Sequence, residues 1–160
     1  KLCGLHALDS CRIEKAYRHF GHDISSEDNA IAAGLGFAVK TQKSKGKFGD
    51  FIGKQSIEKT IQEGVDSRMF QFVLDNPEPM LYHNEPILRD KKIVGYLTSG
   101  NFGHHLGSSI GLGYIKCSNK GEKVEDQLNG NYEIDVAGKR YSAKAFLKPA
   151  YDPKSDRVRQ

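Results

Sequence analysis

Residues 92–115, KIVGYLTSGNFGHHLGSSIGLGYI, contain the clearest secondary-structure pattern of the sequence. Its first and last parts carry β-branched and alternating apolar residues, whereas glycine and histidine interrupt its middle. Alternation with period two is typical of half-buried strands, and a polar break that contains glycine favours a turn between them. The stretch therefore predicts two strands joined by a polar loop at His104 and His105.

Three further segments repeat this pattern, MFQFVL (69–74), NYEIDVAG (131–138) and SAKAFL (142–147). Turn residues such as Asn129-Gly130 separate them. Five or more short strands within about 85 residues are typical of a compact all-β barrel or sandwich. We therefore expect an all-β unit from about residue 66 onward.

The residues before 66 have a helical pattern instead. Within residues 2–20, four positions at spacings of three and four predict one face of a helix: Leu5, Leu8, Cys11 or Arg12, and Ala16. Gly21 is expected to end this helix. A second helix is predicted from Lys54 to Glu63, with Gly64 as its C-terminal cap. Phe37 to Lys40 is a candidate short strand.

Composition excludes several classes of protein. The chain has 160 residues with 24 Lys+Arg and 20 Asp+Glu, a net charge of +4 that is dispersed along the sequence. This dispersal argues against nucleic acid as a partner, and no apolar run approaches the ~20 residues of a membrane-spanning helix. Three cysteines, an odd number without a CxxC pair, argue against a disulfide framework. Because the sequence begins with Lys1 inside a helix-like pattern, we expect a piece of a longer chain.

The motifs of common catalytic and nucleotide sites are missing from the sequence. Neither GxxxxGK[ST] nor GxGxxG before a helix occurs, so the glycines of GLGF (34–37) and of the 99–115 stretch are interpreted as tight corners with positive φ. Adjacent histidines on a strand face opposite sides, so His104 and His105 predict a polar loop and no metal site. A GxSxG nucleophile elbow is also missing.

The charged residues of the first helix carry the most specific local signal. Arg18 follows Glu14 by four, which favours a salt pair on a solvated face. Alternatively, Glu14 points into a pocket, where a carboxylate accepts two parallel hydrogen bonds from an amino-pyrimidine edge. Tyr17 is expected in the core or at a rim, and secondarily as a stacking surface for a flat ring. Four loop lysines are either solvated or a landing site for an anionic tail: Lys40, Lys43, Lys45 and Lys47.

Ordered blocks along the whole chain resemble the glycine-cleavage T-protein family. They run from LCGLHALDSCRIE (2–14) and YRHFGHDI (17–24) to YLTSGNFGHHLGSSIGLGYI (96–115) and KPAYDP (148–153), with AGLGFAVK (33–40) and DFIGKQSI (50–57) between them. Within that superfamily, EKAYRHFGHDIS and EPMLYHNEPILRDKKIVGYLTSG are most similar to the C-terminal region of dimethylglycine and sarcosine dehydrogenases.

The resemblance implies an α+β fold, with the C-terminal part of a folate-binding domain at residues 1–65 and a small antiparallel β-barrel at 66–160. It also implies tetrahydrofolate as cofactor here, with FAD in an N-terminal flavin domain that this sequence lacks. An N-methyl amine would be the substrate, and the released one-carbon unit would be captured as methylenetetrahydrofolate. The expected compartment is a bacterial cytoplasm or the mitochondrial matrix.

Individual roles follow from the same resemblance. Glu14 matches the family glutamate that grips the pterin edge, Arg12 the arginine before it, and Lys43 the basic position near the folate glutamate tail, with Tyr17 beside them. The family's catalytic aspartate would lie upstream of Lys1, so no catalytic residue is expected in this fragment, which should be inactive alone. Ala32 departs from the family, which commonly has glutamate there. A stand-alone aminomethyltransferase with a lipoyl carrier protein, or a non-catalytic folate-binding module, is the alternative.

Overall fold

The computed structural model describes residues 2–39, 51–157 and 159–160. The four loop lysines, Lys43 among them, therefore lie outside the described residues. Within the described residues, the helices are α1 (Leu5–Glu14), a short 3₁₀ helix (Gly36–Ala38), α2 (Lys54–Glu63) and α3 (Val124–Leu128). The strands are β1 (Ser67–Leu74), β2 (Pro86–Arg89), β3 (Lys92–Gly103), β4 (Ser108–Lys116), β5 (Tyr132–Val136) and β6 (Lys139–Phe146).

The strands form a closed antiparallel barrel in the order β1-β4-β3-β2-β5-β6. Phe72 of β1 lies opposite Gly111 of β4 on one side and Ala145 of β6 on the other, so β1 closes the ring. The predicted barrel is confirmed. Its short β2 escapes sequence reasoning because it has only four residues and starts at Pro86, a residue that argues against a strand.

The barrel interior is apolar. Its central cluster contains Phe72, Leu97, Ile115 and Ile134, each with an exposed fraction of 0%. The ring of Phe72 packs edge-on against that of Tyr132 at 5.5 Å between centroids. Burial of such side chains supplies roughly 1.5–3 kcal/mol each, so the barrel carries its own core.

Most glycines of β3 and β4 do not form corners, contrary to the sequence interpretation. Gly100, Gly111 and Gly113 lie inside the two strands, and in the 99–115 stretch only Gly107 has a positive φ, 68°. A Cβ atom at Gly113 would come within 2.6 Å of the Tyr96 carbonyl oxygen of the neighbouring strand. Close packing of strands, and not turn geometry, therefore explains the glycine content here.

Helix α1 differs from its prediction in length and in orientation. It ends at Glu14, because Ala16 adopts a left-handed conformation (φ 51°) in a Schellman motif. In this motif Tyr17 N donates to Arg12 O and Ala16 N donates to Ile13 O. Leu5 and Leu8 are 79% and 55% exposed, so the predicted apolar face points outward. The face toward the barrel carries Ser10, Ile13 and Glu14 instead.

Of the other predictions for the residues before 66, one is confirmed and one is wrong. The predicted second helix is confirmed with its bounds, and Gly64 caps it with φ 87°. The predicted strand at Phe37 is wrong, since Gly36–Ala38 form a 3₁₀ turn. No helix within the described residues is long and apolar enough to cross a membrane.

Candidate functional site

Helix α1 lies against the β3–β4 hairpin and brings its polar residues to the barrel surface. Ile13 packs into a small cluster with Met69, Ile110 and Leu112. On the same face, Ser10 Oγ donates to Phe102 O at 2.7 Å. Apolar burial therefore seats the helix, and side-chain hydrogen bonds to the hairpin fix its position.

Glu14 is a buried clamp between the helix and the turn of that hairpin, residues 104–107. It is 2% exposed, and its Oε1 accepts hydrogen bonds from His105 N (2.7 Å) and Leu106 N (3.2 Å). His105 Nδ1 lies 2.9 Å from Oε2. Because a carboxylate only accepts, the pairing assigns the imidazole proton to Nδ1. The ring of His105 stacks on Tyr151 with centroids 4.4 Å apart.

The salt pair expected between Glu14 and Arg18 is therefore wrong. Arg18 Nε donates to Ala33 O and its Nη1 to Ala16 O, so the guanidinium supports the loop after α1. Burial lowers the pKa of Arg18. Helical spacing suggested the pair, but α1 ends at Glu14 and the chain then turns away.

Gly103, the last residue of β3, lies close to the Glu14 carboxylate. A Cβ atom there would lie 3.1 Å from Glu14 Oε1 and 3.0 Å from Ile110 Cδ1. Any side chain at this position would press on the carboxylate and on the apolar seat of the helix together. A larger residue at this position would need Glu14 or Ile110 to shift by a few tenths of an ångström.

Arg12 is the centre of a second polar network. Its Nε donates to Asp9 Oδ1 (2.7 Å), its Nη1 to Asp23 Oδ2 (2.6 Å) and its Nη2 to Ser99 Oγ (2.9 Å). The buried carboxylate of Asp23 also accepts from His19 N and from Thr98 Oγ1. The network ties α1, the following loop and β3 into one unit.

This network lies beside a cleft of about 380 Å³. Residues that line the cleft include His6, Asp9, Arg12, His19, Tyr82 and Asn101. Asp9 is the accessible carboxylate of α1 among them, because its side chain is 33% exposed. A fixed carboxylate, an aromatic ring and several imidazoles give the cleft the mixed polar and aromatic character of a small-molecule site.

A larger cavity of about 570 Å³ lies elsewhere on the barrel, lined by Asp75, Asp90, Lys91 and Glu133 among others. It shares no lining residue with the cleft at α1. Its Asp75 is paired with Lys144 at 3.4 Å. We place the candidate site at the smaller cleft because the fixed Arg12–Asp9 pair lies there.

The residues singled out in the sequence do not converge on one point. Arg12 lines the cleft, whereas Glu14 is enclosed beneath the hairpin turn. Tyr17 is half exposed, and its carbonyl accepts from Arg12 Nη1 at 3.3 Å. Lys43 lies outside the described residues. The described part of the chain holds no group of His, Cys, Asp or Glu residues suited to a metal ion.

Sequence reasoning missed three residues of the site. Asp9 precedes Arg12 by three, a spacing that signals a helical ion pair and was available in the sequence. Asp23 and His105 gave no such signal. His105 reaches Glu14 across 91 positions, a distance that no local pattern spans.

Two family models match the chain. The glycine cleavage T-protein C-terminal barrel domain matches residues 68–152, and the GCVT N-terminal domain matches residues 1–43. The 4-methylaminobutanoate oxidase (formaldehyde-forming) of Paenarthrobacter nicotinovorans is 37% identical over 159 residues, 99% of this chain and 18% of that protein. Human mitochondrial sarcosine dehydrogenase is 32% identical over 157 residues, 98% of this chain and 17% of that protein.

The chain thus spans less than a fifth of the length of these two relatives. The crystal structure of glycine cleavage system aminomethyltransferase T from Bartonella henselae shares the fold, with a TM-score of 0.77 over 96% of this chain and 40% of that one. Sequence identity in that pair is 19%. The resemblance and the fold class expected from the sequence are both confirmed. Because the barrel model covers more than half of the chain and the strands close as a six-stranded barrel, the chain belongs to the glycine cleavage T-protein C-terminal barrel domain family.

Proposed function

We propose that this chain is the C-terminal, tetrahydrofolate-binding part of a flavin-dependent N-methyl amine dehydrogenase or oxidase. The observation that carries the proposal is the similarity of 99% of the chain to an oxidase named for 4-methylaminobutanoate and for formaldehyde formation. Sarcosine dehydrogenase, similar over 98% of the chain, is also named for an N-methyl amino acid. The remaining four fifths of such a protein would hold the flavin and the amine site.

Two features of the cleft at α1 support folate as its ligand. A pterin presents a flat edge of N–H donors, and the cleft offers the carboxylate of Asp9 together with the ring of Tyr82. Its volume of about 380 Å³ lies in the range of small-molecule sites. When bound, tetrahydrofolate supplies a nucleophilic nitrogen for the one-carbon unit.

The residues of this chain would bind and orient that group. Arg12 fixes Asp9 at the edge of the cleft, and Glu14 fixes the hairpin turn through His105 and Leu106. Tyr17, half exposed after the helix, offers a ring face. The folate roles of Arg12, Glu14, Tyr17 and Lys43 remain predictions, as does the division at residue 65.

The physical advantage of such a unit is sequestration. A reactive iminium or formaldehyde must meet the folate nitrogen before it meets water or another amine. A folate held against the oxidising domain gives a high local concentration of the acceptor. We therefore expect this chain to be inactive alone and to act within the longer protein, in a cytoplasm or in the mitochondrial matrix.

The first test is a visible absorption spectrum of the purified full-length protein. A flavin spectrum that is bleached by an N-methyl amino acid, with formaldehyde release suppressed by tetrahydrofolate, is the expected result. A colourless protein would contradict the dehydrogenase proposal and would favour a stand-alone aminomethyltransferase. A colourless protein that binds folate without one-carbon transfer would favour a non-catalytic folate module.

A further inference from the structure

We propose that His105 is a reactive site of this chain, a preorganised imidazole whose Nε2 lone pair attacks small carbonyl electrophiles. Two neighbours hold its ring, Glu14 at the Nδ1 edge and Tyr151 on one face. The inference goes beyond the proposed function and does not depend on it, because it follows from the contacts of one side chain.

The buried carboxylate of Glu14 fixes which ring nitrogen carries the proton. His105 Nδ1 lies 2.9 Å from Glu14 Oε2, and the Glu14 side chain is 3% exposed. The other oxygen of Glu14 accepts from His105 N and Leu106 N, so the carboxylate is held from both sides. The hydrogen bond at one nitrogen of a neutral imidazole sets its tautomer. The proton is therefore on Nδ1 and the lone pair is on Nε2.

The Nε2 edge of the ring is open. The His105 side chain is 51% exposed although its Nδ1 edge faces a buried carboxylate. Its exposed part therefore lies away from Glu14, on the side of Nε2. Within the described residues, the ring of His105 forms a hydrogen bond with Glu14 and with no other group. A reagent can thus reach the lone pair from solvent without displacing a protein partner.

Tyr151 fixes the plane of the imidazole. The two rings stack with centroids 4.4 Å apart and an interplanar angle of 26°. Before Tyr151, Ala150 N donates to Gln71 Oε1 at 2.7 Å. After it, Asp152 Oδ2 accepts from Lys15 Nζ at 3.0 Å. A ring that is held on a fixed neighbour loses little further freedom when it reacts.

The charge of Glu14 favours the reaction as well as the orientation. When the Nε2 lone pair forms a bond to a carbonyl carbon, positive charge develops on the ring. A buried carboxylate at Nδ1 stabilises that charge, as the aspartate does in Ser-His-Asp hydrolases. With an acylating reagent, the N–C bond forms, the C–O bond to the leaving group breaks and the Nδ1 proton passes to solvent.

His104 is an internal control for this assignment. It is exposed like His105, and its ring packs edge-on against Phe102 at 5.3 Å between centroids. In the part of the chain that the structure describes, His105 is the histidine that pairs with a carboxylate, and His104 is not. The two neighbours therefore differ mainly in the contact to Glu14.

The test measures acylation of the two histidines by diethyl pyrocarbonate in the full-length protein. Peptide mass spectrometry at low conversion gives a rate for each residue, at about pH 8, where a free imidazole is neutral. We expect His105 to react about 3- to 10-fold faster than His104, because the carboxylate stabilises the charge that develops on the ring. Equal rates, or a slower rate at His105, would overturn the proposal.

Glu14→Gln separates the carboxylate effect from mere exposure. The amide keeps an oxygen for the two backbone N–H groups and presents an N–H donor to Nδ1. That donor favours the tautomer with the proton on Nε2, so the rate at His105 should fall to within about 2-fold of that at His104. Glu78→Gln, at an exposed glutamate, is the matched control and should change neither rate. An undiminished rate at His105 in Glu14→Gln would also overturn the proposal.

A second pair of variants applies if Glu14→Gln disturbs the fold, which a faster rate at His104 would report. Tyr151→Phe keeps the stacked ring and should leave the rate at His105 unchanged. Tyr151→Ala removes the support, so this rate should fall about 2- to 5-fold while that at His104 stays constant. An equal rate at His105 in both variants would contradict a preorganised imidazole.

Discussion

The barrel and helix α1 are stabilised in opposite ways. The barrel interior consists of apolar side chains such as Phe72 and Ile134 that pack without polar partners. Helix α1 exposes its leucines, and besides the buried Ile13 it is attached through polar groups, among them the buried Glu14 and the partly buried Arg12. Apolar cores tolerate exchange of similar side chains, whereas a buried polar contact needs its specific partner. The difference indicates that the barrel core depends mainly on apolar burial, whereas the position of α1 depends also on specific hydrogen-bond partners.

The C-terminal tail extends this polar attachment. Gln71 Nε2 donates to Ile13 O at 2.6 Å, and its Oε1 accepts from Ala150 N at 2.7 Å. Lys15 Nζ donates to Asp152 O at 2.6 Å and to its Oδ2 at 3.0 Å. One buried glutamine of β1 thus joins the end of α1 to the tail, and one lysine repeats the connection.

The largest loss of stability is expected for a substitution in the barrel core. Phe72→Ala leaves a cavity in the closed core and should lower the free energy of unfolding by about 3–5 kcal/mol. Urea denaturation followed by circular dichroism measures it. Phe37→Ala is the matched control, because Phe37 is 85% exposed and its loss should change stability by less than about 0.5 kcal/mol. Equal losses in both variants would contradict an apolar core centred on β1.

The second-largest loss of stability is expected when the Glu14 clamp is removed. Glu14→Ala removes the acceptor of three hydrogen bonds, and we expect a loss of about 2–4 kcal/mol in the free energy of unfolding. Glu14→Gln keeps a side-chain oxygen for the two backbone N–H groups, so it should lose less stability than Glu14→Ala. The charged contact to the His105 imidazole is lost in this variant. Nitrogen-15 chemical shifts of His105 would report that loss. Glu78→Ala, at an exposed glutamate, is the control, and a loss there as large as at Glu14 would refute the clamp.

A smaller loss of stability, confined to α1 and the C-terminal tail, is expected for a substitution of Gln71. Gln71→Leu removes the acceptor of Ala150 N and the side-chain donor to Ile13 O and Glu14 O, and should cost about 1–3 kcal/mol in the free energy of unfolding. Amide hydrogen exchange should accelerate in α1 and in the tail before it accelerates in the barrel strands. Uniform acceleration throughout the barrel would show that the two regions do not unfold separately.

The smallest change in stability is expected at the ion pair between Glu122, in the loop after β4, and Arg89 of β2, and it depends on pH. Burial alone would raise the pKa of Glu122, but hydrogen bonds from Arg89 and Ser118 outweigh it and lower that pKa below its ordinary 4.5. A lowered folded-state pKa adds stability above the unfolded-state pKa, and this share is lost as pH falls through the folded value. Glu122→Gln should therefore be less stable than the unmodified chain at pH 7, and this difference should be smaller at pH 4, as measured by urea midpoints. A constant difference at both pH values would exclude this linkage.

The strands of the barrel could be predicted from the sequence because each is marked by a pattern of neighbouring residues. Alternating segments and turn residues predicted β1 and β3–β6, and Gly64 as a C-terminal cap predicted the end of α2. The face of α1 was not accessible, since Leu5 and Leu8 have the spacing of a core but point outward. The Glu14–His105 pair joins residues 91 apart, which only the folded barrel brings together. Long-range polar partners carry no periodic signal.

Pairing of β1 with β6 closes the barrel and brings the two ends of its chain close together. The strand on which the chain enters the barrel pairs with the strand on which it leaves, and Gln71 lies opposite Phe146. A short linker could therefore join these ends, with new termini opened at the Ala137–Gly138 turn between β5 and β6. Adjacent ends are the condition for circular permutation and for grafting a unit onto another protein.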